Sequence, residues 1–182
     1  MWALVESGSV SKIFTKPTQL TIGDIKYPRN IFQLWSESEL KAIGIYEVVQ
    51  DDTNKKDKEY YTNTEQSFGF ADNTVTASYG TPTAKDLNEL KVSKKENLNA
   101  EAGGILQSTD WMVIREADGG TAMPSNIKTW RASVRTKAND MCTQIDNAAD
   151  VDALAALYEY TNTGTEEEPV FTRPLGEFPE LD

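Results

Sequence analysis

The side chains that carry most enzyme chemistry are scarce in this sequence of 182 residues. It contains no histidine and one cysteine, Cys142. Without histidine, Ser-His-Asp and Cys-His catalysis and imidazole-ligated zinc are excluded. One cysteine forms neither an internal disulfide nor a thiolate cluster, so nothing indicates an oxidising compartment. Since no basic residue beside Cys142 in the sequence favours its thiolate, we interpret it as a packing residue.

Carboxylates are plentiful, and a suitably spaced pair of them would support glycoside hydrolysis. Asp51, Asp52 and Asp57 share a segment with several lysines, which favours a solvated charged loop. Four later aspartates lack the glycine and the closing glutamate of an EF-hand. These are Asp140, Asp146, Asp150 and Asp152. The doublets Gly103-Gly104 and Gly119-Gly120 lack the lysine or strand context of phosphate loops. The sequence therefore predicts no catalytic, cofactor or metal site.

Charge and hydropathy restrict the classes of partner. Lys and Arg number 18 against 29 Asp and Glu, giving a net charge of -11, which opposes broad phosphate binding and predicts no nucleic-acid partner. No run approaches the roughly 20 apolar residues of a membrane span, so we expect no membrane partner. The first residues lack the basic and apolar regions of a signal peptide, and we expect the protein to stay where it is made.

Residues 1–83 have the pattern of a small β-rich domain with one short helix. Residues 2–5 and 10–14 flank a Ser-Gly-Ser turn, and Gly23-Asp24 predicts a second tight turn. Ser36 and Glu39 have the spacing of a capping box at the start of a helix over 37–43. A strand is predicted over 45–49, where β-branched and aromatic residues cluster, and a further strand over 74–79.

Residues 84–160 have helical periodicity. The segment from Asp86 to about Gln107 predicts one amphipathic helix, or two pieces broken near Gly103-Gly104. Thr109 or Asp110 can cap a short segment over 111–115, Pro124 suits the first turn of the next helix, and Asp150 can cap a last one. The helix after Pro124 has one continuous apolar stripe. Its members are Ile127, Trp130, Val134, Ala138, Met141 and Ile145.

The last 22 residues, 161–182, carry six acidic residues and one arginine, a net charge of -5. Their glycine, threonine, glutamate and spaced prolines predict an extended acidic tail. The predicted fold is therefore α+β: a β-rich domain over 1–83, a helical domain over 84–160 and the tail over 161–182.

Two features suggest contact with other molecules. Lys128, Arg131 and Arg135 recur at helical spacing beside the apolar stripe. They form either a solvated flank with local ion pairs or a docking face for acidic groups. Four tryptophans are the second feature: we place Trp111 and Trp130 in the core, and favour core over contact anchors for Trp2 and Trp35.

The stretches 104–115 and 124–135 together resemble the C-terminal region of tailed-phage tail-fibre assembly proteins and related tail proteins. In these, a helix leads into Leu-x-x-Thr-Asp-Trp, an arginine follows, and proline precedes an aromatic-Arg-x-x-Leu/Val-Arg helix. The resemblance lies within residues 104–135, less than a fifth of the chain. Trp130 replaces the usual tyrosine, and the acidic tail is an addition. The matching positions are Leu106, Thr109, Asp110, Trp111, Arg115, Pro124, Trp130, Arg131, Val134 and Arg135.

The resemblance implies a binding and assembly role without catalysis. Asp110 and Trp111 would fix the turn between helices, while Arg131 and Arg135 would hold it or face a partner. We therefore predict a non-enzymatic virion protein of the tail, baseplate or fibre region, present in several copies in a symmetric assembly. The predicted partner-binding residues are Trp111, Lys128, Arg131 and Arg135. A fibre-assembly chaperone absent from the mature particle is the alternative, and a glycan hydrolase is a third hypothesis without a motif.

Overall fold

A five-stranded sheet organises the first of the two units into which the chain divides, Met1–Thr83 and Ala84–Asp182. The structure is a computed structural model and describes residues 1–181. The strand order is β2-β1-β5-β8-β7, antiparallel apart from the parallel pair β5–β8. The elements are β1 (Trp2–Glu6), β2 (Ser9–Phe14), β3 (Leu20–Ile22), β4 (Ile25–Tyr27), α1 (Ile31–Leu34), α2 (Glu37–Ala42), β5 (Ile45–Asp51), β6 (Tyr61–Thr62), β7 (Gln66–Ala71), β8 (Thr74–Tyr79) and β9 (Thr83–Ala84).

Local turn chemistry sets the hairpins of this unit. The β1–β2 and β3–β4 hairpins form around the two predicted turns. The β7–β8 hairpin turns at Asp72 and Asn73, which both have positive φ as a two-residue hairpin requires. The predicted capping box of α2 is present: Ser36 Oγ accepts from the Glu39 N–H, and Glu39 Oε2 accepts from the Ser36 N–H at 2.7 Å. A hydrogen bond from the Ser36 hydroxyl to Glu39 Oε2 at 2.7 Å, followed by that from the Ser36 N–H, lowers the pKa of Glu39.

Hydrophobic side chains pack in two clusters within the first unit. Trp2 and Trp35 are half-buried against the larger cluster, in agreement with their predicted core role, and Trp2 lies 4.9 Å from the Phe32 ring centroid. The larger cluster comprises Leu4, Phe14, Leu20, Ile31, Phe32, Leu40 and Ile45. The smaller comprises Ala3, Val48, Val75 and Ala77. The short helix α1, which we did not predict, contributes Ile31 and Phe32 to the larger cluster.

Four helices and a small hairpin build the second unit. They are α3 (Leu87–Gln107), α4 (Asp110–Ala117), α5 (Ser125–Asn147), α6 (Val151–Ala156), β10 (Thr161–Asn162) and β11 (Phe171–Thr172). α3 is continuous through Gly103-Gly104, so the single-helix alternative is correct. α3 and α5 run antiparallel, because Lys91 near the start of α3 donates to Asp146 O near the end of α5. Four residues of the predicted α5 stripe are buried: Val134, Ala138, Met141 and Ile145.

The C-terminal segment differs from the tail expected over 161–182. After the β10–β11 hairpin the chain returns to the helices: Leu175 is fully buried, and its N–H donates to Leu157 O at 3.0 Å. Phe178 packs against the cluster of Ala102, Val134 and Ala138. Two apolar residues in an acidic sequence therefore fix this segment to its own unit, so this part of the chain is not the extended tail that we predicted. Residue 182 of the predicted tail lies outside the described residues.

At the coarse level the fold is α+β, with a β-rich half followed by helices, as predicted. Across residues 1–181, no helix is both long enough and apolar enough to cross a membrane.

Candidate partner-binding site

The side chain of Arg131 joins three helices of the second unit. It extends from the first half of α5, and the residue is only 5 % exposed. Its Nη1 donates to Leu106 O at 2.7 Å and to Thr109 Oγ1, and its Nη2 donates to Asp110 Oδ1 at 2.6 Å. Leu106 lies in the last turn of α3, where carbonyls lack helical partners and favour a cation. Arg131 therefore fixes the end of α3 to the start of α4.

Thr109 completes this junction from the turn between α3 and α4. The residue is buried, and its hydroxyl donates to Leu106 O at 3.0 Å while accepting from Arg131. We predicted Thr109 or Asp110 as the cap of α4. Thr109 occupies that position, but its side chain makes no capping hydrogen bond within the described chain. The hydroxyl serves the turn instead, because the buried guanidinium needs an acceptor there.

The other end of α4 is fixed by two further charged side chains. Arg115 Nε donates to Thr121 O at 2.9 Å, and its guanidinium lies over the Trp111 ring, 4.8 Å from the centroid. Lys128 on α5 forms an ion pair of 2.6 Å with Glu116. The hydrogen bond from Lys128, followed by that from the Met123 N–H, lowers the pKa of Glu116. The charged groups at this end of α4 are thus engaged within the unit.

The apolar side of α4 faces outward. Every residue of this helix is at least partly exposed, and Trp111, Val113 and Ile114 are 53 %, 43 % and 62 % exposed. Met112, Arg115 and Glu116 are the half-buried residues of this helix and lie on its other side. Large apolar side chains gathered in the open are typical of a contact surface. We call Trp111, Val113 and Ile114 the α4 face.

The four predicted partner-binding residues have different environments. The core position that we predicted for Trp111 is wrong, because the residue is exposed and belongs to the α4 face. Lys128 is exposed but engaged with Glu116. Arg131 is buried, and its hydrogen bonds stabilise the junction between α3 and α4. Its side chain therefore binds within the unit rather than at the surface that we predicted. Arg135 is exposed, and the Arg131 carbonyl accepts from it over a long 3.4 Å.

Sequence reasoning missed Val113 and Ile114. Apolar residues at 111–114 surround most of a short helix, so a helix of eight residues cannot bury them all. The number of apolar residues in so short a helix therefore predicts that some of them are exposed. Which side faces inward depends on the Arg131 and Lys128 contacts, which local sequence does not show.

The β10–β11 hairpin carries a second exposed surface. Its loop is ordered by backbone contacts: the Thr163 N–H donates to Val170 O at 2.7 Å, and the Thr165 N–H donates to Glu168 O at 3.1 Å. Val170 and Phe171 are exposed next to the acidic tip, Glu166–Glu168. We call residues 163–171 the hairpin tip.

Three further features are relevant to a possible site: metal-binding side chains, Cys142 and a surface depression. Among residues 1–181, no group of three or more metal-binding side chains is assembled. Burial raises the pKa of the Cys142 thiol, which agrees with the packing role predicted for it. A depression of about 430 Å³ between α5 and the C-terminal segment includes Trp130 and Pro179, and the Trp130 indole donates to Pro179 O at 2.9 Å.

Comparison of the chain with protein-family models, with curated proteins and with solved structures gives no match.

Proposed function

We propose that the protein is a non-enzymatic structural or adaptor component of a phage virion, in the tail, baseplate or tail-fibre region, where it binds neighbouring tail proteins. One observation supports the proposal most strongly. The separated residues that resemble tail-fibre assembly proteins lie together in one junction. Leu106, Thr109 and Asp110 all accept hydrogen bonds from Arg131.

The remaining positions of the resemblance have related roles in the same unit. Arg115 stacks on Trp111 and ties α4 to the following loop. Trp130 and Val134 pack with Ala102 of α3. The spacing of these residues therefore serves one three-helix arrangement, which supports a shared structural role rather than a chance likeness of short segments.

Two surfaces of the second unit are suited to contact neighbouring proteins. The α4 face presents a tryptophan and an isoleucine, and aromatic anchors are typical of interface centres. The hairpin tip presents three glutamates beside Val170 and Phe171 and suits a basic neighbour. In this proposal the acidic tail acts as a tether through the hairpin tip alone, because residues 173–179 are used within the unit.

The proposed partners are other tail, baseplate or fibre proteins, and several copies of this chain would lie in a symmetric assembly. Neither nucleic acid nor a membrane is a proposed partner. A net charge of -11 opposes phosphate binding, and the exposed contact surfaces are apolar or acidic. The proposal includes no cofactor, no metal and no reaction.

A fibre-assembly chaperone that departs before maturation is the second candidate, since the resemblance includes assembly proteins and an exposed apolar helix would suit a shielding role as well. Protein composition of purified particles separates the two. A virion component is retained at a fixed number of copies per particle, whereas a departing chaperone is found in the lysate and not in the particles.

A designed variant tests the hairpin tip. Replacing Glu166, Glu167 and Glu168 with serine should reduce incorporation into particles without changing the melting temperature of the purified protein. The matched control replaces Glu6, Glu65 and Glu96, three exposed glutamates outside the hairpin, with serine. Equal incorporation of both variants would remove the hairpin tip from the proposal.

A further inference from the structure

The α4 face has a distribution of charge that fits a copy of itself. The helix begins with Asp110, continues with the apolar residues and closes with Arg115. When two such helices lie antiparallel, the acidic start of each meets the basic end of the other. Antiparallel helices also place unlike dipole ends together. The pattern is therefore complementary to itself under a twofold axis.

Both end residues retain capacity for a second partner. Asp110 uses Oδ1 for Arg131, and its side chain is still 52 % exposed, which leaves Oδ2 accessible. Arg115 directs Nε and Nη2 to the carbonyls of Thr121 and Ala122, which leaves Nη1. Glu116 is engaged with Lys128, so its charge does not oppose the approach of a second helix.

The apolar side chains between these ends are arranged as anchors. Trp111 and Ile114 are three residues apart and share one side of the helix. In an antiparallel pair that aligns Asp110 with Arg115 of the other copy, Trp111 of each copy meets Ile114 of the other. Val113, two residues after Trp111, lies on a different side of the helix and stays at the edge of the pair. The stacked Arg115 restrains the Trp111 ring before association, which reduces the entropy lost on binding.

We infer that α4 pairs with α4 of a second copy of this chain, antiparallel about a twofold axis. The inference concerns one surface used in the proposed function but does not depend on it, since the purified chain alone is sufficient to test it. An eight-residue helix is about 12 Å long. The pair therefore buries less than the ~800 Å² per partner of a standard interface. A weak dimer, with a dissociation constant on the order of 100 μM, is expected from so small a contact.

Sedimentation of the full chain over a wide concentration range tests the inference. We expect a monomer at low concentration and a dimer at high concentration, with Ile114→Glu raising the dissociation constant at least about tenfold. Val92→Glu is the matched control, because Val92 is a similarly exposed apolar residue on α3. A monomer at every concentration, or equal weakening by both variants, would overturn the inference and leave the α4 face to a different protein.

Disulfide trapping tests the twofold geometry separately. In a Cys142→Ser background, a mixture of Trp111→Cys chains and Ile114→Cys chains should give a covalent heterodimer under mild oxidation, because Trp111 of each copy meets Ile114 of the other. A mixture of Val92→Cys chains and Ile114→Cys chains should give no such heterodimer under the same conditions. Equal trapping in both mixtures would contradict the antiparallel pairing, and neither result bears on whether the protein is found in particles.

Discussion

At the scale of single residues, the most informative side chain is the buried Arg131. Sequence spacing placed it in a basic stripe with Lys128 and Arg135, where a solvated flank and a docking face were both open. In the structure, Arg131 holds the junction between α3 and α4, Lys128 forms an ion pair with Glu116, and Arg135 is exposed. The spacing predicted the helix correctly but not how far each side chain is buried. Burial depends on which residues of α3 and α4 pack against α5.

Replacing Arg131 with methionine should lower the free energy of unfolding by about 2 kcal/mol, since two buried acceptors lose their strongest donor. The 3–5 kcal/mol range for a broken buried ion pair is too large here, because the half-exposed Asp110 remains solvated. Arg135→Met is the control and should change stability by less than about 0.5 kcal/mol. Urea unfolding followed by helical circular dichroism measures both. Equal effects would contradict the role of Arg131 in the junction.

Glu116 should make stability depend on acid pH. Its lowered pKa means that the folded state favours the carboxylate. The stabilisation is therefore complete above the ordinary value of 4.5 and is lost as pH falls through the lower folded-state pKa. The difference in melting temperature between the natural chain and Glu116→Gln should stay constant from pH 7 to about 5 and shrink below about 4.5. A difference that grows on acidification would contradict the assignment.

At the scale of elements, the C-terminal segment has two parts with different roles. Residues 173–179 pack against the helices through the buried Leu175 and the half-buried Phe178, whereas the hairpin tip is exposed. The Lys137 ammonium also donates to Leu175 O at 2.9 Å, so side-chain and backbone contacts both secure this segment. Deleting the whole tail would therefore combine two effects, and single substitutions are the better test.

Leu175→Ala should lower the free energy of unfolding by about 3 kcal/mol, since it creates a cavity at a fully buried position. Phe171→Ala, in the same segment but exposed, should change it by less than about 0.5 kcal/mol. Chemical denaturation of the two variants provides the comparison. A negligible effect of Leu175→Ala would contradict the packing of this segment and agree instead with the predicted extended tail.

The glycine doublet in α3 should allow stabilisation. A Cβ added at Gly103 or Gly104 meets no atom of the described chain within 4 Å. Alanine at either position should raise the free energy of unfolding by about 0.5–1 kcal/mol through helix propensity. Gly44→Ala is the opposite control, because its φ is +82° and its Cβ would lie 2.8 Å from Val5 O. Thermal melting of all three variants measures the signs, and loss of stability at Gly103 would indicate an unrecognised contact.

Local signals predicted most of the elements and the two hairpins at tight turns, but not the pairing of elements distant in sequence. The capping box at Ser36 and the apolar stripe of α5 were confirmed because both depend on residues a few positions apart. The parallel β5–β8 pair and the outward face of α4 were not predicted, because they depend on partners distant in sequence. The same holds for the candidate site, because its helices were predicted from local sequence but the exposure of Trp111 was not.

At the scale of the whole molecule, an acidic protein carries a short apolar surface, the α4 face. A net charge of -11 keeps long-range association of copies unfavourable, so any contact must rely on short-range complementarity. The α4 face offers that complementarity, and the hairpin tip adds an acidic surface for a basic neighbour. A structural component of a particle would use both surfaces at once.

The most direct test is the number of copies of this protein in purified phage particles, measured by quantitative mass spectrometry against isotope-labelled peptides of the chain. We expect a constant number of copies per particle that survives density-gradient purification and a high-salt wash. Absence from the particles, with the protein abundant in the lysate that produced them, would contradict the virion role and favour the departing chaperone.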